Sequence, residues 1–207
     1  MGMELILIRH GLPMQVATQD GTPADPPLSA LGREQATRVA DWVRDEQFDR
    51  LYSSPMLRAR ETANPIAEIT DMPIEVVDGV AEYDRDADEY IPIEVLKADY
   101  PERWLAMVGA GVDEAGFIQF VQGVVASISE VVAANAGKRI AVACHGGVIN
   151  AWTAHVLGIE PRLFFNPGYT SINRYMVARS GERSIVSLNE CAHLRDMPGS
   201  ADGPQGG

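Results

Sequence analysis

Leu5-Ile6-Leu7-Ile8-Arg9-His10-Gly11 decides how this chain is read. Its apolar start is too short for a helix face and lacks the alternation of a half-exposed strand, so it reads as a central strand covered on both faces. Ile140-Ala141-Val142-Ala143, leading into Cys144-His145-Gly146-Gly147, repeats the pattern. Between the two runs the period changes. Ala36, Val39, Ala40 and Val43 share one helical face after the N-cap candidate Ser29, and Phe117, Phe120, Val121, Val124, Val125, Ile128, Val131 and Val132 form a longer stripe. Further strands are expected over 50–53, 74–77, 171–178 and 184–189. This order predicts an α/β fold, a three-layer sandwich with a mostly parallel central sheet flanked by helices.

The 207 residues, 46% apolar and 22% charged, suffice for one buried core. A single domain is expected over 1–195, followed by a flexible Gly/Pro/Asp-rich tail over 196–207. The first apolar run stops at Arg9, far short of a signal-peptide core or a membrane span, so a cytoplasmic protein without membrane partners is expected. Cys144 and Cys191 form no CxxC, and neither a disulfide framework nor a zinc site has support. A net charge of −12 argues against nucleic acid as a partner, so any anion must be held by a local basic cluster.

Ligands of open α/β sheets bind beyond the carboxyl ends of the strands. Arg9 and His10 stand at such an end, with Gly11 allowing the backbone to turn or approach a ligand. Ser53-Ser54-Pro55 ends a second strand, with Ser54 suited to an N-cap, Pro55 to the first helical position and Arg58 to the first turn. Backbone N–H groups and a guanidinium there can hold an anion. An isolated Arg58 would instead be solvated and paired with Glu61 or Thr62. His145 marks the third end, ahead of a helix expected over Val148–Leu157. A lone histidine at a strand end is more often structural, but His10, His145, Arg9 and Arg58 at equivalent ends favour an anion pocket. Other phosphate chemistries fail on spacing: no GxxxxGK occurs, Gly109-Ala110-Gly111 meets Glu114 where GxGxxG needs glycine, and a Cys-x5-Arg loop would need arginine where Asn150 and Met197 stand.

With Leu7-Ile8-Arg9-His10-Gly11, Pro27-Leu28-Ser29-Ala30-Leu31-Gly32, Ser53 through Ala63, the acid Glu82 and His145-Gly146-Gly147 in this order, the sequence resembles the histidine phosphatase superfamily, which also contains the cofactor-dependent phosphoglycerate mutases. The match runs from Leu5 to Ile172. The resemblance implies a phosphatase in which His10 is the nucleophile, Arg9, Arg58 and His145 hold phosphate together with Gly11 and Gly146, and Glu82 protonates the leaving oxygen. It implies no metal and no cofactor, a small phosphorylated metabolite as partner, and, from relatives that dimerise, a homodimer. Neutral imidazole is nucleophilic, and two guanidiniums with an imidazole can neutralise the equatorial oxygens.

Departures from the family pattern refine these expectations. Leu12 replaces a common Glu, and an Asn that helps relatives hold phosphate is missing, leaving Gln15 or Thr18 as substitutes. The insertion over 83–114 is acidic and poor in arginine, which favours hydrolysis over mutase transfer. Asp84, Asp86, Asp88 and Glu89 suggest a neutral or cationic leaving group, since lining carboxylates would repel a second anion. Tyr83 and Arg85 are candidate substrate contacts, and Trp104 a candidate pocket wall. His155 is expected to pack on its helix and His193 to border the tail. Two other classes compete: a metal-dependent hydrolase built on His10, His145, Glu82 and the aspartates, for which no HExxH is present, and a non-catalytic phosphate-binding module.

Overall fold

Successive residues of Leu5-Ile6-Leu7-Ile8 enter different cores, as the period of a strand requires. Leu5 and Leu7 pack with Phe117, Val121, Val124, Val148 and Trp152, whereas Ile6 and Ile8 pack with Val39, Ala40 and Ile66. All four strand residues are fully buried, and each contributes on the order of 2 kcal/mol as an upper estimate.

The computed structural model describes residues 2–110 and 114–197. In chain order the elements are β1 (Met3–Arg9), β2 (Val16–Ala17), α1 (Ala30–Trp42), β3 (Arg50–Ser53), α2 (Leu57–Thr70), β4 (Ile74–Val76), β5 (Glu89–Tyr90), α3 (Ile93–Asp99), α4 (Pro101–Ala110), α5 (Glu114–Ala134), β6 (Arg139–Cys144), α6 (Gly146–Leu157), β7 (Ile172–Val177) and β8 (Arg183–Glu190). The main sheet has the order β4-β3-β6-β1-β7-β8. Its first four strands are parallel, and β7 and β8 extend it antiparallel. Helices α1 and α2 cover one face and α5 and α6 the other, giving the expected three-layer α/β sandwich.

Ser29 caps α1 as expected, its Oγ accepting the Gly32 N–H at 3.0 Å. Among the described residues, α5 is the one helix long and apolar enough to cross a membrane, over Ala115–Ala134 with mean hydropathy 1.6; its Phe117, Val121, Val124 and Ile128 pack on the sheet. The insertion contributes β5, which pairs with β2 as a two-stranded ribbon, and the short helices α3 and α4; its residues 111–113 lie outside the described part.

Several expectations are corrected. Helix α2 begins at Leu57 with Met56 as N-cap, so Ser54 and Pro55 precede it. The helix N-terminus does hold an anion, but that anion is the carboxylate of Asp25, which accepts the Leu57 N–H at 2.9 and 3.1 Å. The ordered domain reaches past 195: His193, Leu194 and Met197 are buried, and the Met197 N–H donates to the Leu194 carbonyl at 3.0 Å. The remainder of the expected tail, 198–207, lies outside the described residues.

Candidate active site

Pairing of β1, β3 and β6 brings their carboxyl ends level, since Arg9 is opposite Cys144 and Ser53 opposite Ala143. The ladder continues one residue further: the His10 N–H donates to the Cys144 carbonyl and the Ser54 N–H to the Ala143 carbonyl, each at 2.9 Å. His10, Ser54 and His145 are therefore the first residues beyond three neighbouring strands. The two imidazole centroids lie 5.1 Å apart. Of the three, His10 opens onto a cleft of about 400 Å³ that is also lined by Arg9, Arg58, Glu82 and Gly146, with residues of α3, α4 and the 163–167 segment forming its outer wall, while Ser54 and His145 lie buried behind it.

His10 is held in one tautomer. Its Nδ1 lies 2.8 Å from the Gly11 carbonyl, which can only accept, so Nδ1 carries the proton and the lone pair is at Nε2. Burial, then the guanidiniums of Arg58 and Arg9, hold its pKa well below the ordinary histidine value, with the bond to Gly11 opposing. His145 is shifted the same way by burial, Arg58, His10 and Arg9. Its Nε2 lies 2.7 Å from Ser54 Oγ, which also accepts the Met56 N–H at 3.3 Å. Ser54, read from sequence as a helix cap, thus orients the second histidine.

Both arginines are held in place by neighbouring groups, most of which also line the cleft. Arg58, 1% exposed, donates from Nη2 to Asp84 at 2.7 Å and lies over the Tyr90 ring at 4.7 Å. Arg9 lies over the Tyr169 ring at 4.1 Å and donates from Nη1 to the Pro167 carbonyl and to Asn166 Oδ1, the latter at 3.4 Å. Among the described residues, Arg9 Nε, Arg58 Nε, Arg58 Nη1 and His145 Nδ1 are buried without a partner. Unpartnered buried polar groups are costly, so a cluster of them beside an imidazole lone pair marks a place where a ligand with several acceptor oxygens completes the bonding.

Glu82 completes the constellation from the segment after β4. Its Oε2 accepts the Gly147 N–H at 2.8 Å and its Oε1 the Tyr83 N–H at 3.0 Å. Burial and the neighbouring Asp84 raise its pKa above the usual carboxylate range, while the two N–H donors and Arg58 oppose the shift. A Cβ on Gly147 would collide with the Glu82 carboxylate, so only glycine permits this contact. At Gly11 a Cβ would meet the Gly32 carbonyl oxygen at 2.5 Å, and the Gly11 N–H donates to Thr62 Oγ1 at 3.0 Å. Gly11 therefore tightens the backbone beneath the site, whereas Gly146 lines the cleft itself.

The remaining sequence candidates divide. Trp104 lines the cleft as expected. Gln15 is exposed, and Thr18 donates to the backbone of Thr22 and Asp88, so neither replaces the missing asparagine. Tyr83 stacks edge-on against Phe117 and Phe120, and Arg85 pairs with Asp86 in solvent, which removes both as wall residues. His155 lies against Trp152 at 5.2 Å, as expected of a packed helix residue. His193 is buried and bonded to Thr170 Oγ1 at 2.9 Å, not loose beside a tail. Of the acidic run only Asp84 lines the cleft, and it is bound to Arg58; Asp86 and Asp88 are exposed and Glu89 pairs with Arg103 at 2.7 Å. Sequence reading placed Asp84 on the approach to the site but missed its pairing with Arg58, and missed Tyr90, Asn166, Pro167 and Tyr169 because nothing local marks them. No group of three or more His, Cys, Asp or Glu side chains placed to hold a metal occurs among the described residues.

Comparison with known proteins identifies the family. The family model for the histidine phosphatase superfamily (branch 1) matches residues 5–190. The chain is 28% identical over 160 residues to the uncharacterized phosphatase PhoE of Bacillus subtilis, covering 76% of this chain and 79% of that protein. It is 26% identical to phosphoserine phosphatase 1 of Hydrogenobacter thermophilus, over 94% of this chain and 96% of the relative. A crystal structure of phosphoserine phosphatase from Entamoeba histolytica, in complex with 3-phosphoglyceric acid, superposes with a TM-score of 0.71 at 27% identity, covering 93% of this chain and 99% of that one. With the family pattern spanning nearly the whole described fold, this chain belongs to the histidine phosphatase superfamily and is a phosphatase.

Proposed function

We propose that this phosphatase hydrolyses small phosphomonoesters through a phosphohistidine on His10. The observation that carries the reading is the pairing of a lone pair fixed at His10 Nε2 with buried, unpartnered donors on Arg9 and Arg58 and the unpartnered Nδ1 of His145. In the first step Nε2 bonds to phosphorus as the bond to the ester oxygen breaks, and the Glu82 proton passes to that oxygen. In the second, water bonds to phosphorus as the N–P bond breaks, and the Glu82 carboxylate takes the proton that water releases. Charge on the transferring group is met throughout by Arg9, Arg58 and His145, which is the main demand of phosphoryl transfer. Small phosphorylated substrates named for the relatives, phosphoserine among them, support a small ester as the substrate class.

Rapid quenching with a labelled aryl phosphate tests this directly. The expected product is an acid-labile, alkali-stable phosphoenzyme that maps to His10, with His10→Ala forming none and losing at least about 10³-fold in turnover. Full activity in His10→Ala refutes the reading.

A further inference from the structure

Beyond phosphate itself, the cleft contains a cation that the phosphoryl chemistry does not use. The charged lining groups are Arg9, Arg58, Glu82, Asp84 and Lys97. Arg9 and Arg58 surround His10 and lend their unpartnered donors to the phosphate cradle, Asp84 is consumed by Arg58, and Glu82 is held by the Gly147 and Tyr83 N–H groups. Lys97 stands apart from all of these. It is carried on α3, its ammonium lies 4.7 Å from the centroid of the Trp104 ring, and it makes no ion pair among the described residues. The same cleft lining includes the apolar Ile93, Trp104, Leu163 and Phe164.

We infer that Lys97, held over Trp104 on the outer wall of the cleft, is a specificity-determining residue that selects phosphomonoesters whose alcohol part carries a second anionic group such as a carboxylate. The inference rests on the phosphomonoesterase reading above and names the substrate class of that same site. It reverses the expectation drawn from the acidic run. In sequence those carboxylates favour a neutral or cationic leaving group, but the fold leaves Asp86, Asp88 and Glu89 out of the cleft lining and neutralises Asp84 with Arg58. The one insertion charge left available to a ligand is positive. Lys97 is exposed, and its contact with the Trp104 ring fixes where a carboxylate of the leaving group meets a positive charge on the cleft wall.

The test is a series of esters matched in size and differing in charge: 2-phosphoglycolate, 2-hydroxyethyl phosphate and phosphoethanolamine. In the wild type kcat/KM for 2-phosphoglycolate is expected to exceed that for 2-hydroxyethyl phosphate by roughly fivefold, the scale of a well-placed exposed ion pair. Lys97→Met brings this ratio to near unity, and Lys97→Glu favours phosphoethanolamine. The chain has one other lysine, Lys138, whose Nζ bonds Asn135 Oδ1 at 3.3 Å, and Lys138→Met should keep the wild-type ratio. A wild-type ratio at or below one overturns the inference, as does a preference that survives in Lys97→Met. Calorimetric binding of 3-phosphonopropionate against 2-aminoethylphosphonate reads the same discrimination without turnover. Loss of all hydrolysis would then count against the phosphohistidine reading, while the calorimetric ratio still decides the role of Lys97.

Discussion

His10 and Glu82 are pushed in opposite directions by the same pocket. Burial next to Arg58 and Arg9 keeps His10 neutral to a pH well below the ordinary histidine value, and burial beside Asp84 keeps Glu82 protonated above the ordinary carboxylate value. Both shifts favour the working form, neutral imidazole with protonated carboxyl. kcat/KM should fall at low pH as His10 gains a proton and at high pH as Glu82 loses one. Asp84→Asn removes a charge that raises the Glu82 pKa and frees Arg58, which lowers it, so both effects move the basic limb of the pH–rate profile to lower pH. An unmoved basic limb in this variant would show that Glu82 is not the group titrating there. The two residue types also differ in legibility. Arg9, His10 and His145 were visible in sequence because polar residues directly after an apolar run have to stand at the sheet edge. The pairing of Asp84 was not, because its partner Arg58 stands far away along the chain.

At the scale of elements, the strands were legible and the loop geometry was not. Parallel strands buried on both faces leave continuous apolar runs, as at Leu5–Ile8 and Ile140–Ala143, and the helical stripes of α1 and α5 show one buried face each. The start of α2 was misplaced because Ser54-Pro55 satisfies the local rules for a cap, while the tertiary bond from Ser54 to His145 takes the hydroxyl for another purpose. The ribbon of β2 and β5 is too short for any period to show. Helix α6 illustrates how an element serves chemistry: its second residue, Gly147, offers an N–H to Glu82 at a separation no side chain tolerates. Gly147→Ala must displace the carboxyl. Turnover of alkyl phosphates, whose leaving oxygen needs a proton, should then drop by about 10²-fold, in the range of a lost general acid. Turnover of p-nitrophenyl phosphate, whose leaving group needs little protonation, should change far less. Equal losses on both substrates would place the damage elsewhere.

Across the whole molecule, the carboxyl-terminal turn reaches back to the nucleophile. Thr170 sits in the left-handed region at φ 55, unfavourable for a β-branched residue, and its N–H donates to the His10 carbonyl at 3.3 Å. Its hydroxyl bonds to the Tyr169 carbonyl and to His193 Nε2, so the turn at Ala192–Leu194 braces the strained residue from behind. Burial, with Arg38 adding to it and Glu190 opposing, pushes the His193 pKa down to about 4 from an unfolded value of 6.5. The sign follows from proton binding. Above pH 6.5 neither state binds the proton and the bracing is intact, whereas between 6.5 and about 4 the unfolded chain binds it and the folded one does not. This group alone should remove about 3 kcal/mol of stability across that interval, and no more below it. His193→Gln lacks this titration. At pH 7.5 the variant should be less stable than the wild type by about 1 kcal/mol for the altered hydrogen bond, and by pH 4.5 the order should reverse. Urea unfolding at the two pH values measures the difference directly, with the other histidines common to both proteins. A gap that stays constant with pH would mean that His193 is not buried neutral.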